Sequence, residues 1–185
     1  MGFSLLHESK KMLLSIAKRA ICEFYGQFYK VEGTEQGLGL ELDQKAGVFV
    51  SVYVNGKLRG CLGQFESQLP LHKLVAQLAV SSARNDSRFQ PVSINELNDL
   101  QIEISVLTPP LKIETIDEIE LGKHGIVIRK GARSGTFLPQ VAMSTGWNLD
   151  EFLGHCSRDK AGLGWDGWKN ADLFVYEAIV FSDFG

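Results

Sequence analysis

The stretch Val48-Phe49-Val50-Ser51-Val52-Tyr53-Val54-Asn55-Gly56-Lys57-Leu58-Arg59-Gly60-Cys61-Leu62-Gly63 decides the fold. Valines at every second position, alternating with Phe49, Ser51 and Tyr53, have the period of a strand. Asn55-Gly56 follows, and this dipeptide suits a type I′ hairpin turn because both central residues need positive φ. The return strand begins near Leu58. Strict alternation puts Arg59, Cys61 and Gly63 on one face and Leu58, Gly60 and Leu62 on the other. The same residues carry chemistry. A thiol beside a guanidinium is a place to look for a reactive cysteine, and strand glycines mark a close approach by another backbone or a ligand.

Upstream, Leu13, Ile16, Ala17, Ala20, Ile21, Phe24 and Phe28 recur at helical steps, with Lys10, Lys11, Lys18 and Arg19 mostly opposite. Ser4 is the expected N-cap. Residues 31–46, rich in Gly, Glu and Gln, read as a loop. Downstream, a second helix opens near Pro70 and buries Leu71, Leu74, Val75, Leu78, Ala79 and Ser82. Ser93-Ile94-Asn95-Glu96 has capping-box spacing before a short helix, and Gln101–Leu107 alternates as a strand. Ile116–Ile119 reads as a helical turn, Ile126–Ile128 and Thr136–Leu138 as short strands with a turn over Gly131–Gly135, and Pro139 as a stop. A helix follows Asn148 and runs to about Lys160. Leu173–Phe181 reads as one final strand. With hairpins present and no regular strand–helix alternation, the expected class is α+β, a mainly antiparallel sheet with flanking helices.

Composition excludes several functions. The net charge of −3 over 185 residues gives no electrostatic pull toward nucleic acid or anionic membranes. No apolar run approaches the roughly 20 residues a membrane helix needs, and no secretory leader is legible, so a cytoplasmic location is expected. Cys22, Cys61 and Cys156 are too few, and odd in number, for a disulfide framework. Neither a CxxC nor an HxxxH pair exists, so no metal is expected, and no phosphate-binding loop follows a strand, so no cofactor is expected either.

Four separated motifs, in register, resemble the AMMECR domain family, whose bacterial and archaeal members are called AmmeMemoRadiSam system protein A. Leu58-Arg59-Gly60-Cys61-Leu62-Gly63 resembles its LRGCIG signature, with Leu62 in place of the commoner Ile. Ala83–Asp86 with Arg88-Phe89 and Pro91 is similar to A-x-x-D-x-R-F-x-P. Gly122–Ile126 is similar to G-x-H-G-[IL]. Leu138–Ala142, Trp147, Phe152-Leu153, Cys156 and Lys160–Leu163 resemble the run LPQVA…W…FL…C…KAGL. The likeness covers roughly residues 9 to 181. It implies a single domain over residues 1–185. A larger part, at about 1–110 plus the C-terminal strand, and a smaller part, at about 111–170, would form a cleft lined by the signature residues. The family name implies an association with Memo-like and radical-SAM proteins.

Two readings of the site stand side by side. In the first, Cys61 is a nucleophile or an acyl or sulfur acceptor, His124 its base, and Arg59 the anchor of an anionic small molecule or protein group. Gly60, Gly63, Asp86 and Arg88 complete the binding set. In the second, the domain is a binding or adaptor module that recognises a partner through the hairpin strand. Each residue also has a purely architectural role open to it: Cys61 as a small buried side chain, Arg59 bridged to Asp86, Asp86 as a supporting partner at a helix exit, and His124 bonded to backbone in a turn. Of His155 and Cys156, adjacent on a helix, Cys156 is expected to face the core. Trp147, Trp165 and Trp168 are expected to pack, with Trp165 and Trp168 able to rim a pocket.

Overall fold

The computed structural model describes residues 4–30 and 39–184. In chain order the first elements are α1 (His7–Phe24), α2 (Gly39–Leu42), β1 (Val48–Val54), β2 (Lys57–Gln64), α3 (Leu71–Arg84) and β3 (Leu100–Leu107). These are followed by β4 (Leu111–Ile113), β5 (Gly125–Lys130), β6 (Arg133–Phe137), α4 (Pro139–Thr145), α5 (Leu149–His155), β7 (Asp172–Tyr176) and β8 (Ala178–Ser182). Two four-stranded sheets, in the orders β2-β1-β3-β8 and β4-β7-β5-β6, with helices beside them make this an α+β fold. The chain divides into two compact units, Met1–Leu107 with Ile179–Gly185, and Thr108–Ala178.

In the first unit, α1 and α3 pack on each other and on the sheet. The valines of β1 and Leu100, Ile102 and Ile104 of β3 meet Leu13, Ile16, Ile21, Leu71, Leu74 and Val75 in one core. Each such side chain contributes about 1.5–3 kcal/mol on burial, and the period-two and helical stripes in the sequence are the imprint of that contact. Asn55 (φ 50°) and Gly56 (φ 73°) form the hairpin turn. The Ser93–Glu96 box is present: Ser93 N–H donates to Glu96 Oε2 at 2.8 Å, opening the 3₁₀ turn Ile94–Asp99.

Three expectations change here. Leu6, not Ser4, stands at the N-cap of α1. The helix ends at Phe24, and Gly26 turns the chain with φ 69°, so Phe28 leaves the helical stripe and is exposed; Phe24 is half exposed under the Arg84 guanidinium, 4.5 Å from its ring centroid. The loop expected over 31–46 contains α2 at its end, while residues 31–38 lie outside the described residues.

In the second unit, Ile126, Ile128, Phe137, Phe152, Leu153, Cys156 and Val175 form a separate core. The β5–β6 turn is tighter than expected, centred on Gly131-Ala132, and β6 starts at Arg133. Pro139 opens α4 in its first turn, a helix whose apolar pattern is too sparse to read from sequence. Asn148 caps α5 by accepting the Glu151 N–H at 2.9 Å, and α5 continues through a π-helical turn, Cys156–Lys160. The single final strand is two. At Glu177 the N–H donates to Thr108 Oγ1 (2.8 Å) and the carbonyl accepts the Thr108 N–H (2.9 Å), which takes Glu177 out of the ladder between β7 and β8. The apolar alternation runs on across that break, so it is silent in the sequence.

Candidate functional site

The hairpin register sets the site. Val54 pairs with Lys57 and Tyr53 with Leu58, but then Val52 pairs with Gly60 and Ser51 with Cys61. Arg59 is the extra residue of a β-bulge. A regular ladder with Arg59 paired to Val52 would set Cys61 opposite Val50, among the side chains that meet the helices. With the bulge, Cys61 stands opposite Ser51 on the other face and Gly60 opposite Val52. Bulges re-aim side chains in this way.

Gly60 faces α3, where a Cβ would fall 1.8 Å from the Ser82 carbonyl oxygen. The Ser82 hydroxyl accepts the Leu62 N–H (3.0 Å) and donates to the Val50 carbonyl (2.8 Å), tying helix and both strands together. Gly63 lies opposite Phe49, whose ring would be 2.4 Å from a Cβ there. Both glycines thus admit a close approach, and the approaching groups are the protein's own.

β2 is an edge strand, yet its free edge is covered at Cys61. The Cys61 N–H donates to Asp86 Oδ2 at 2.9 Å, and the Cys61 carbonyl accepts from the Arg88 guanidinium at 3.1 Å. Arg88 also holds Asp86 through Nε (2.9 Å) and Nη2 (2.6 Å). Asp86 is buried; chiefly the Arg88 hydrogen bond, and then the Cys61 and Arg88 backbone N–H groups, hold its carboxyl well below the usual carboxylate range against the desolvation of burial. Arg59 goes elsewhere. It pairs with Glu96 and donates to the carbonyls of Gln90 (3.1 Å) and Pro91 (3.2 Å). Arg59 first, then the Ser93 N–H, pushes Glu96 down to about 2. The carboxylate bridged to Arg59 is therefore Glu96, and the cation bonded to the Cys61 backbone is Arg88.

On the face opposite α3, Ser51 Oγ lies 3.2 Å from Cys61 Sγ. Glu103 of β3 is the neighbour of Ser51 on its other side, so Cys61, Ser51 and Glu103 form one row across three strands. Tyr53 follows two residues along. Burial, then the nearby Glu103 and Cys61, raises its phenol above the ordinary value, with the Ser51 hydroxyl acting the other way. In the sequence Ser51 and Tyr53 count only as strand positions, and nothing there marks Glu103. The turn dipeptide fixes a register that could have found them, but only with the bulge known.

His124 belongs to the second unit and Cys61 to the first. The His124 Nδ1 accepts the Glu120 N–H (3.1 Å), its own N–H donates to the Glu120 carbonyl (2.9 Å), and Nε2 is 3.9 Å from the Glu177 carboxylate. Cys156 faces the core, where burial pushes its thiol up to about 12. His155 turns outward, stacked on Trp147 at 3.9 Å with Asp159 3.0 Å from Nδ1. Trp168 is buried, and Trp165 packs on Gly154. Among the described residues no group of three His, Cys, Asp or Glu could hold a metal ion, and no helix is long and apolar enough to cross a membrane.

A two-sheet α+β chain with a cysteine on a bulged hairpin strand is the class of protein that these features define. The AMMECR1 family profile matches residues 14–181, and the chain belongs to the AMMECR1 family. It is 40% identical to Protein MK0488 of Methanopyrus kandleri, over 99% of this chain and 92% of that protein. A protein of Thermococcus onnurineus is 39% identical over 94% of this chain and 89% of its own. The crystal structure of the uncharacterised protein PH0010 from Pyrococcus horikoshii is similar with a TM-score of 0.80 and 34% identity, covering 97% of this chain and 94% of that one.

Proposed function

We propose that the protein is a cysteine-dependent group-transfer enzyme with Cys61 as the nucleophile. The observation that carries this is the bulge at Arg59, which turns the thiol away from the helix-packed core and sets it against the Ser51 hydroxyl. A cysteine wanted only for its small size would sit on the packed face, where Gly60 is found. Asp86 and Arg88 fix the Cys61 backbone through its N–H and its carbonyl, so the thiol is positioned by its own strand. The Arg88 side chain is 62% exposed and can meet an anionic part of a substrate; Arg59 is committed to Glu96. His124 has no part in this reading, because its ring is engaged within its own turn. The alternative of a partner strand added to β2 meets the Asp86 and Arg88 side chains already on the Cys61 N–H and carbonyl. Memo-like and radical-SAM proteins, implied by the family resemblance, are the proposed pathway neighbours.

The test is the iodoacetamide labelling rate of Cys61 in the folded protein at pH 7, against a cysteine in an unstructured peptide. Faster labelling than the peptide is expected. Slower labelling contradicts a nucleophilic role and returns the adaptor reading.

A further inference from the structure

We propose that the Ser51 and Tyr53 hydroxyls are a donor pair for the oxyanion of a carbonyl substrate, which makes the Cys61 face an acyl-transfer site. This rests on the Cys61 reading and names its substrate class: a thioester or activated ester.

Ser51 Oγ stands 3.2 Å from Sγ, so a carbonyl carbon bonded to that sulfur would carry its oxygen beside the hydroxyl. Donors that stabilise such an oxygen work at about 2.7–3.1 Å from it. Tyr53 lies two residues along the same strand and so presents its phenol on the same face. The phenol's upward shift keeps it protonated, and a protonated phenol is a donor. The charged groups around the thiol come from three elements: Glu103 on β3, Asp86 and Arg88 beyond α3, and Arg59 on β2 itself. Arg59 is paired with Glu96 and Arg88 with Asp86, and the group hydrogen-bonded to the sulfur is the Ser51 hydroxyl.

In the step itself, the Cys61 sulfur bonds to the carbonyl carbon while the π pair moves onto oxygen, where Ser51 and Tyr53 donate to it. Collapse of the adduct restores the carbonyl and breaks the bond to the leaving group. The thiol proton departs with that group, and S-acyl Cys61 remains. No oxidant or reductant is involved.

The experiment compares two reactions at one sulfur in the full chain. Acylation by p-nitrophenyl acetate builds an oxyanion, whereas alkylation by iodoacetamide at its methylene carbon builds none. Both rates are read at the Cys61 peptide by mass spectrometry, with Cys61→Ala as the blank. Loss of a single oxyanion donor costs about 100-fold or more in mature enzymes, so Ser51→Ala and the isosteric Tyr53→Phe should each slow acylation at least about tenfold. Ser51→Ala also removes the hydroxyl's bond to the sulfur and so touches both reactions; the ratio of acylation to alkylation should fall about tenfold in each variant, and Ser51→Thr should restore that ratio. Equal losses in both reactions, or no loss in either, overturn the donor pair while leaving Cys61 as nucleophile. A wild-type Cys61 slow in both reactions overturns the Cys61 reading, and this one with it.

Discussion

Cys61 and Cys156 place the same thiol in opposite surroundings, one in each unit. Cys156 sits at 0% exposure among Ile126, Phe152 and Leu153, and burial pushes its titration up to about 12. Cys61 is half-buried, opposite a hydroxyl, with its backbone held by a carboxylate and a guanidinium. Packing explains Cys156 completely. It does not explain Cys61, because the packed position of that strand is filled by Gly60. A cysteine's role follows from what its neighbours supply, not from the motif it is found in.

The largest effect expected to break this contrast is Gly60→Ala. The added Cβ would meet the Ser82 carbonyl backbone at 1.8 Å, so α3 must move off the hairpin, at a cost of about 3 kcal/mol or more in urea unfolding. Asp86→Ala comes next. It strips the Cys61 N–H of its acceptor and Arg88 of its carboxylate, and should cost about 2–3 kcal/mol by the same measurement. Cys156→Ser introduces a hydroxyl into an apolar core and should cost about 1–3 kcal/mol. Cys61→Ser, beside Ser51, should stay within about 0.5 kcal/mol. Equal costs for the two serine variants would erase the contrast.

A smaller effect concerns pH. Glu96 is depressed in the folded state by Arg59, so the unfolded chain binds its proton first as the solution is acidified. Its contribution is therefore complete above the ordinary value of 4.5 and is lost as pH falls toward about 2. The unfolding midpoint measured from pH 5 down to pH 2 should drop less steeply in Glu96→Gln than in the wild type. Identical slopes would mean that the Arg59–Glu96 pair does not anchor the bulge residue.

The hairpin was legible because its two signals are local: valines at period two and a turn that demands Asn-Gly. The helices α1 and α3 were legible from their stripes, and Asn148 from its cap spacing. What escaped depended on tertiary contacts. No residue pattern announces the bulge, and the Ser82 carbonyl that lies against Gly60 comes from α3, a tertiary contact. The break at Glu177 depends on Thr108, far away in the chain. Among the candidate site residues, Cys61, Asp86 and Arg88 are joined in the structure, while the carboxylate on Arg59, for which the sequence offers Asp86 as one option, is Glu96. Ser51, Tyr53 and Glu103 were hidden because ordinary strand residues become a site only through a register.

The most direct measurement is the ratio of Cys61 to Cys156 labelling by iodoacetamide, read site by site in the folded protein and again in urea. A ratio of about 100 or more is expected in the folded protein, collapsing toward one on unfolding. A folded-state ratio near one would contradict it.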